Sequence, residues 1–185
     1  GRPVSFEVLS DEWEYMGRQA RVISEWAPNA YVKIPITNTR GESAVPLVRA
    51  LCAEGVRLNV TAVFTRAQVD AIALPLAWAN PIKSTLRPVI SIFAGRIADA
   101  GIDPLQQVRY CTWSVATARM DIDLLWASPR QVYDAMLAER AGCDIITMTP
   151  DLIAKMSNFG KALDQFSLET VEMFYRDAQA SGLSL

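Results

Sequence analysis

Residues 30–36 read Ala30-Tyr-Val-Lys-Ile-Pro-Ile36, an apolar and largely β-branched run with one lysine at its centre. Side chains of an extended chain alternate between faces, so Val32, Ile34 and Ile36 share one side while Tyr31, Lys33 and Pro35 share the other. If the aliphatic side meets covering helices, Lys33 enters a second interior. A desolvated ammonium gives up its proton more readily, and the resulting amine can attack a carbonyl to form a Schiff base. The run alone also suits a lysine that snorkels to the rim or pairs with a carboxylate. Other strands must decide between the two.

Short strand-like runs alternate with longer helical ones along the chain, the order expected of βα units and a parallel sheet. The expected strands are 4–8, 31–36, 58–64, 89–94, 124–127 and 145–148. Helix starts are marked by Ser10 before Asp11 and Glu12, by the capping boxes Thr65 with Gln68 and Ser128 with Gln131, and by Thr149 before Pro150. Trp78 to Pro88 reads as an irregular connection and no stretch reads as a linker, so residues 1–185 are expected to form a single domain. Within the strands, Val4, Phe6 and Val8 oppose Ser5 and Glu7; Val60, Ala62 and Phe64 oppose Asn59, Thr61 and Val63. Ile90, Ile92 and Ala94 oppose Ser91, Phe93 and Gly95, and Ile146 and Met148 oppose Thr147 and Thr149. One face is aliphatic throughout. The other carries Glu7, Lys33, Asn59, Thr61, Ser91 and Thr147, which are costly to bury unless they satisfy one another or a ligand. A doubly covered open sheet is normally apolar on both faces, whereas a (β/α) barrel gathers polar groups at the C-terminal ends of its strands. A barrel is the better fit, with a doubly wound sheet as the alternative.

Composition narrows the chemistry. A chain of 185 residues that is 51% hydrophobic can bury a substantial core. Apolar stretches are interrupted well short of the ~20 residues a membrane helix requires, so no membrane partner and a cytoplasmic location are expected. A net charge of −2 offers no broad basic field for nucleic acid, although local arginines could hold a small phosphate. Cys52, Cys111 and Cys143 form no CxxC pair, which argues against a zinc site or a disulfide framework. The chain has no histidine. Acid–base work therefore falls to Lys, Glu, Asp, Tyr and hydroxyl groups.

These blocks resemble the transaldolase family, including its fructose-6-phosphate aldolases. The resemblance runs from Pro3 to Leu185 through PVSFEV at Pro3, YVKIPIT at Tyr31, AEGVRLNVTAVFT at Ala53, ISIFAGRIAD at Ile90, WASPR at Trp126 and GCDIITMTP at Gly142. It implies a (β/α)8 TIM barrel in which Lys33 is the Schiff-base lysine of strand four. It further implies that Glu7 and Thr61 share the catalytic water and that Asn59 contacts substrate hydroxyls. Ser91, Phe93 and Arg96 fall in the block of the substrate and phosphate site, and Ser128 with Arg130 keeps the family's Ser-x-Arg spacing. The partners implied are phosphorylated ketose and aldose substrates, with no metal or organic cofactor. Glu at position 7 with Phe at 93 follows the transaldolases, whereas the aldolases tend to have Gln and Tyr. The resemblance thus implies transfer of a dihydroxyacetone unit, with aldolase-type cleavage or non-catalytic sugar-phosphate binding as alternatives.

The family pattern begins with two further βα units, which carry an aspartate acid–base and a Thr-Asn-Pro motif without counterparts here. Only strands three to eight are expected, in an incomplete barrel opening between Glu7 and Ile146 along apolar-lined edges. Weak or absent catalysis by this chain is the corresponding expectation. The amphipathic run Ser167 to Ala180 would pack on its own barrel or on a second copy in a homo-oligomer.

Overall fold

The computed structural model describes residues 1–78 and 87–183, and most of the Trp78–Pro88 connection lies outside the described residues. Six strands form one sheet: β1 (Val4–Glu7), β2 (Ala30–Pro35), β3 (Leu58–Val63), β4 (Val89–Ile92), β5 (Asp123–Trp126) and β6 (Ile145–Ile146). Helices α1 (Trp13–Ser24), α2 (Val45–Ala53), α3 (Arg66–Trp78), α4 (Ala94–Asp99), α5 (Pro104–Thr117) and α6 (Asp134–Ala141) lie between them. Every neighbouring pair is parallel and the strands follow chain order, β1-β2-β3-β4-β5-β6. A doubly wound sheet reverses its order at a switch point, and this one does not. The fold is an incomplete, TIM-barrel-like α/β sheet in which β1 and β6 each have one strand neighbour among the described residues. Val4 and Phe6 on β1 and Ile145 on β6 are exposed apolar groups at those edges.

The aliphatic face of the sheet meets the helices. Val32, Ile34, Val60, Ile90 and Leu124 are fully buried there. Each helix presents a stripe at helical spacing: Met16, Ala20 and Ile23 on α1, Val48, Leu51 and Cys52 on α2, and Val69, Ile72, Ala73 and Leu76 on α3. Full burial of each such aliphatic side chain contributes about 1.5–3 kcal/mol, so this layer fixes which way the opposite face points. Burial pushes the Cys52 and Cys143 thiols up to about 12 and Cys111 up to about 11, which keeps them protonated and inert.

Several local expectations need correction. The aliphatic alternation of β3 breaks at Ala62, whose φ is +54°, with a register irregularity between Val60 and Val63. This bulge turns Val63 into the helix-side core beside Val60 instead of onto the polar face. Ala94 belongs to α4, not to β4. Helix α1 starts at Trp13, with the Ser10 hydroxyl accepting from the Glu12 amide at 3.2 Å, because Asp11 and Glu12 are engaged by the next βα loop. The Ser128–Gln131 capping box does not form: α6 starts at Asp134, whose carboxylate accepts from the Arg130 and Gln131 amides at 2.6 and 3.3 Å. The Thr65–Gln68 box does form, at 3.0 and 3.2 Å.

The carboxylates at Asp11 and Glu42 give the sheet end a pH dependence. The Thr39 hydroxyl and amide hold Asp11 below its ordinary 3.8, and Arg40, then Asn38, hold Glu42 below 4.5. A depressed carboxylate contributes stability above its unfolded value and loses it as pH falls through the folded one. Parent and Asp11→Asn should therefore differ in urea midpoint at about pH 6 and draw together only as pH falls below the ordinary 3.8. A difference that does not change with pH would show that Asp11 acts other than as a carboxylate.

Residues Thr149–Leu185 form a second compact unit. Thr149 caps helix α7 (Pro150–Lys155), its hydroxyl accepting from the Leu152 amide at 3.4 Å, as the Thr-Pro pair predicts. Helix α8 (Leu163–Ser181) follows, exposing Phe166, Val171, Phe174 and Tyr175. No described helix is long and apolar enough to cross a membrane.

Candidate active site

Among the described residues, two cavities lie on the polar face of the sheet. The larger, about 520 Å³, lies at the N-terminal ends of the strands, where Tyr31, Val89 and Asp123 line it. There the Tyr31 hydroxyl donates to the Arg87 carbonyl at 2.8 Å, and Arg87 pairs with Asp123 at 2.7 Å. Burial raises the Asp123 carboxyl above its ordinary range. The second, about 380 Å³, lies towards the C-terminal ends and holds Lys33, Asn59, Thr61, Ser91, Phe93 and Ser128. Reactive groups in parallel α/β barrels gather at that end, and the smaller cavity has them.

Strand register assembles this cluster. Glu7 lies opposite Lys33, Lys33 opposite Asn59, and Pro35 opposite Thr61. Parallel pairing with a two-residue repeat places these side chains on one face. The Lys33 Nζ is 3.0 Å from Glu7 Oε2, while the Thr61 hydroxyl donates to Glu7 Oε1 at 3.2 Å. Lys33 and Glu7 side chains are 34% and 43% exposed; Lys33 lines the cavity, and Glu7 stands beside it through this ion pair. Deeper in, Ser91 Oγ donates to Asn59 Oδ1 at 2.7 Å and Asn59 Nδ2 donates to Ser5 Oγ at 3.3 Å. The carboxylate can neutralise or accept a proton from the amine, and the amide–hydroxyl chain presents fixed hydrogen-bonding groups to a polyol.

Two arginines named from the sequence stand outside this lining. Arg96 is exposed, its guanidinium 5.2 Å from the centroid of the Phe93 ring, and Phe93 lines the cavity. Arg130 is turned to Asp99, donating from Nε at 2.9 and 3.1 Å and also from Nη2. Ser128 lines the cavity, but as a residue with φ +58° at the end of β5 and not as a helix cap.

Residues 1–185 match the family model described as Transaldolase/Fructose-6-phosphate aldolase. The chain belongs to this family. Among its relatives in the family is "Probable transaldolase 2" of Listeria monocytogenes, 33% identical over 154 residues that cover 83% of this chain. The chain spans 64% of the length of that relative. "Probable transaldolase" of Bdellovibrio bacteriovorus is 31% identical over 156 residues, covering 84% of this chain and 66% of the relative. "Probable transaldolase" of Thermoanaerobacter sp. is 28% identical over 183 residues, covering 99% of this chain and 76% of the relative.

Three residues of this family member that the geometry makes relevant were given no role in the site by the sequence reading. Ser5 receives the Asn59 amide, and Thr147 lines the cavity; both stand on the polar side of the alternation and carried that signal. Asp99, the partner of Arg130, lies one turn along a helix from Arg96 and gave no local sign of its pairing.

Proposed function

We propose that Lys33 is a Schiff-base nucleophile and that the protein transfers a dihydroxyacetone unit between phosphorylated sugars, a transaldolase reaction. The observation that carries this reading is the Glu7–Lys33–Thr61 cluster at the C-terminal strand ends, beside a cavity lined by Asn59 and Ser91. The names of the relatives agree with it.

In this mechanism Glu7 takes a proton from Lys33, and the amine adds to the ketose C2 carbonyl. Loss of water from the carbinolamine gives the iminium, with Glu7 and Thr61 holding the water that leaves. The C3–C4 bond then breaks, its electron pair passing to the iminium nitrogen as the enamine forms, and the C4 hydroxyl passes its proton to a carboxylate base as the aldose departs, the role the resemblance gives to an aspartate that has no counterpart among residues 1–185. The enamine attacks an acceptor aldehyde, whose oxygen takes the proton back from the same base, and water returned through Glu7 and Thr61 hydrolyses the new iminium. Asn59 and Ser91 bind the retained hydroxyls. Phe93 carries no hydroxyl to place a second water, which favours transfer over simple aldol cleavage.

The test is trapping: with fructose 6-phosphate or sedoheptulose 7-phosphate and borohydride, a reduced adduct forms on Lys33. Thermal stabilisation by these sugars without an adduct, in the protein at its natural length, would instead indicate a binding protein. Arg96 at the cavity rim is assigned to the phosphate, because Arg130 must first leave Asp99 to take part. Loss of a charged hydrogen-bond partner costs about 1.5–3 kcal/mol, so Arg96→Ala should weaken fructose 6-phosphate about ten- to a hundredfold. Unphosphorylated fructose should bind the variant as before, and equal weakening of both sugars would remove Arg96 from this role.

A further inference from the structure

Among the described residues, the strand that carries Glu7 has β2 as its strand neighbour. All four residues of β1 are exposed, and its ladder with β2 ends at the Glu7–Lys33 register, followed by the Val8 amide donating to the Lys33 carbonyl at 3.2 Å. The Lys33–Glu7–Thr61 geometry requires the last residue of β1 to stay fixed. The restraint lies just past the strand ends, where the β1–α1 and β2–α2 loops clasp each other. Asp11 accepts from the Thr39 amide at 2.8 Å and the Thr39 hydroxyl at 2.6 Å. Arg40 donates to both Glu12 carboxylate oxygens at 2.6 and 3.2 Å, and the Trp13 indole donates to Glu42 at 3.2 Å.

One half of this clasp is braced by contacts within its own loop. Asn38, only 6% exposed, accepts from the Arg40 and Glu42 amides at 3.1 and 3.0 Å, and its amide donates to Glu42 at 2.6 Å. Thr37 and Ser43 bridge across the loop, and the Ala44 amide closes it on the Ile36 carbonyl at 2.9 Å. A single exposed ion pair contributes little because ordering both side chains offsets the attraction. Here the loop backbone is already fixed by Asn38, and Arg40 meets Glu12 in a two-pronged geometry that loses less freedom per bond.

We propose that this clasp is a positioning device, in which Asn38 and Arg40 hold the end of β1 so that Glu7 stays in reach of Lys33. The inference rests on the assignment of Lys33 and Glu7 given above, and it adds residues that never touch substrate. The effect should fall on turnover and not on substrate affinity, because Asn59, Ser91 and Arg96 lie on other strands and elements.

The experiment combines hydrogen–deuterium exchange with kinetics, in the protein at its natural length, on the parent, on Arg40→Gln with Asp11→Asn, and on Arg40→Lys. In the double variant the amides of residues 4–8 should exchange about tenfold faster, and kcat should drop about tenfold with KM unchanged, since small misplacements of a reacting group are expensive. Arg40→Lys keeps the charge but loses the two-pronged contact, and should fall between the two. Unchanged exchange at residues 4–8 would overturn the clasp itself. Faster exchange with intact kcat, or an equal rise in KM, would overturn the positioning role. A parent protein without an adduct on Lys33 would sink the Schiff-base reading and the catalytic half of this inference with it, while the exchange measurement still decides whether the clasp restrains β1.

Discussion

In the protein at its natural length, replacing Lys33 with methionine should eliminate the borohydride-trapped sugar adduct and lower turnover about 10⁴-fold or more, the scale seen when a covalent nucleophile is removed. Methionine keeps an unbranched side chain at the same place on β2 and supplies no nitrogen. The fold should persist, because the Lys33–Glu7 pair is partly exposed and such pairs contribute about 1 kcal/mol or less. Glu7→Gln makes a graded comparison. Its amide oxygen can still accept from Thr61, but it cannot take a proton, so turnover should fall about 10²- to 10⁴-fold while slow trapping on Lys33 survives. The chain contains four lysines, at 33, 83, 155 and 161, so peptide mapping identifies the labelled one without ambiguity. An adduct on any of the other three, or one that persists in Lys33→Met, would refute the assignment.

What the sequence showed and what it hid follow from the range of the interactions involved. Strand positions and the polar face were legible because a two-residue alternation is local: Lys33, Asn59, Thr61 and Ser91 are placed by their own neighbours in the chain, and all four line one cavity. The barrel-like strand order could be expected from that face, since a sheet with polar groups on one side needs somewhere to gather them. Failures occurred where a distant partner overrides a local pattern. Ser128-Pro-Arg-Gln131 reads as a capping box, but Asp134 takes the free amides and the helix starts later. Asp11 and Glu12 suit a helix N-terminus, yet Thr39 and Arg40 claim them across 28 residues. Arg130 carries the right spacing for an anion site, and its guanidinium is held by Asp99, 31 residues away. The bulge at Ala62 is a departure of the same kind, a left-handed residue that no glycine or asparagine announces.

Gly95→Ala should be the most damaging small substitution near the site, and helix propensity alone predicts the opposite. Position 95 lies in α4, where alanine is favoured over glycine by about 1 kcal/mol. A methyl group there would come to 1.6 Å from the Ser128 carbonyl oxygen and 2.6 Å from its carbon, far inside any non-bonded contact. Both obstructing atoms are backbone, so no rotamer change relieves the clash. The segment has little room to retreat: the Ala127 amide donates to Ile92 at 2.8 Å, the Gly95 amide to Ala127 at 3.2 Å, and Asp134 holds the Arg130 amide at 2.6 Å. The overpacking cost should therefore reach about 3 kcal/mol or more, lowering Tm by about 10 °C in a domain of this size. Because Ser128 lines the cavity and Arg96 follows Gly95 directly, affinity for phosphorylated sugars should fall as well. Gly101→Ala separates the two uses of glycine. That residue has φ +77° with nothing near its missing Cβ, so the change should cost about 1–2 kcal/mol of backbone strain and leave sugar binding intact. Urea titrations of the two variants give the comparison, and a Gly95→Ala protein as stable as the Gly101→Ala one would show that α4 does not need to approach Ser128 so closely.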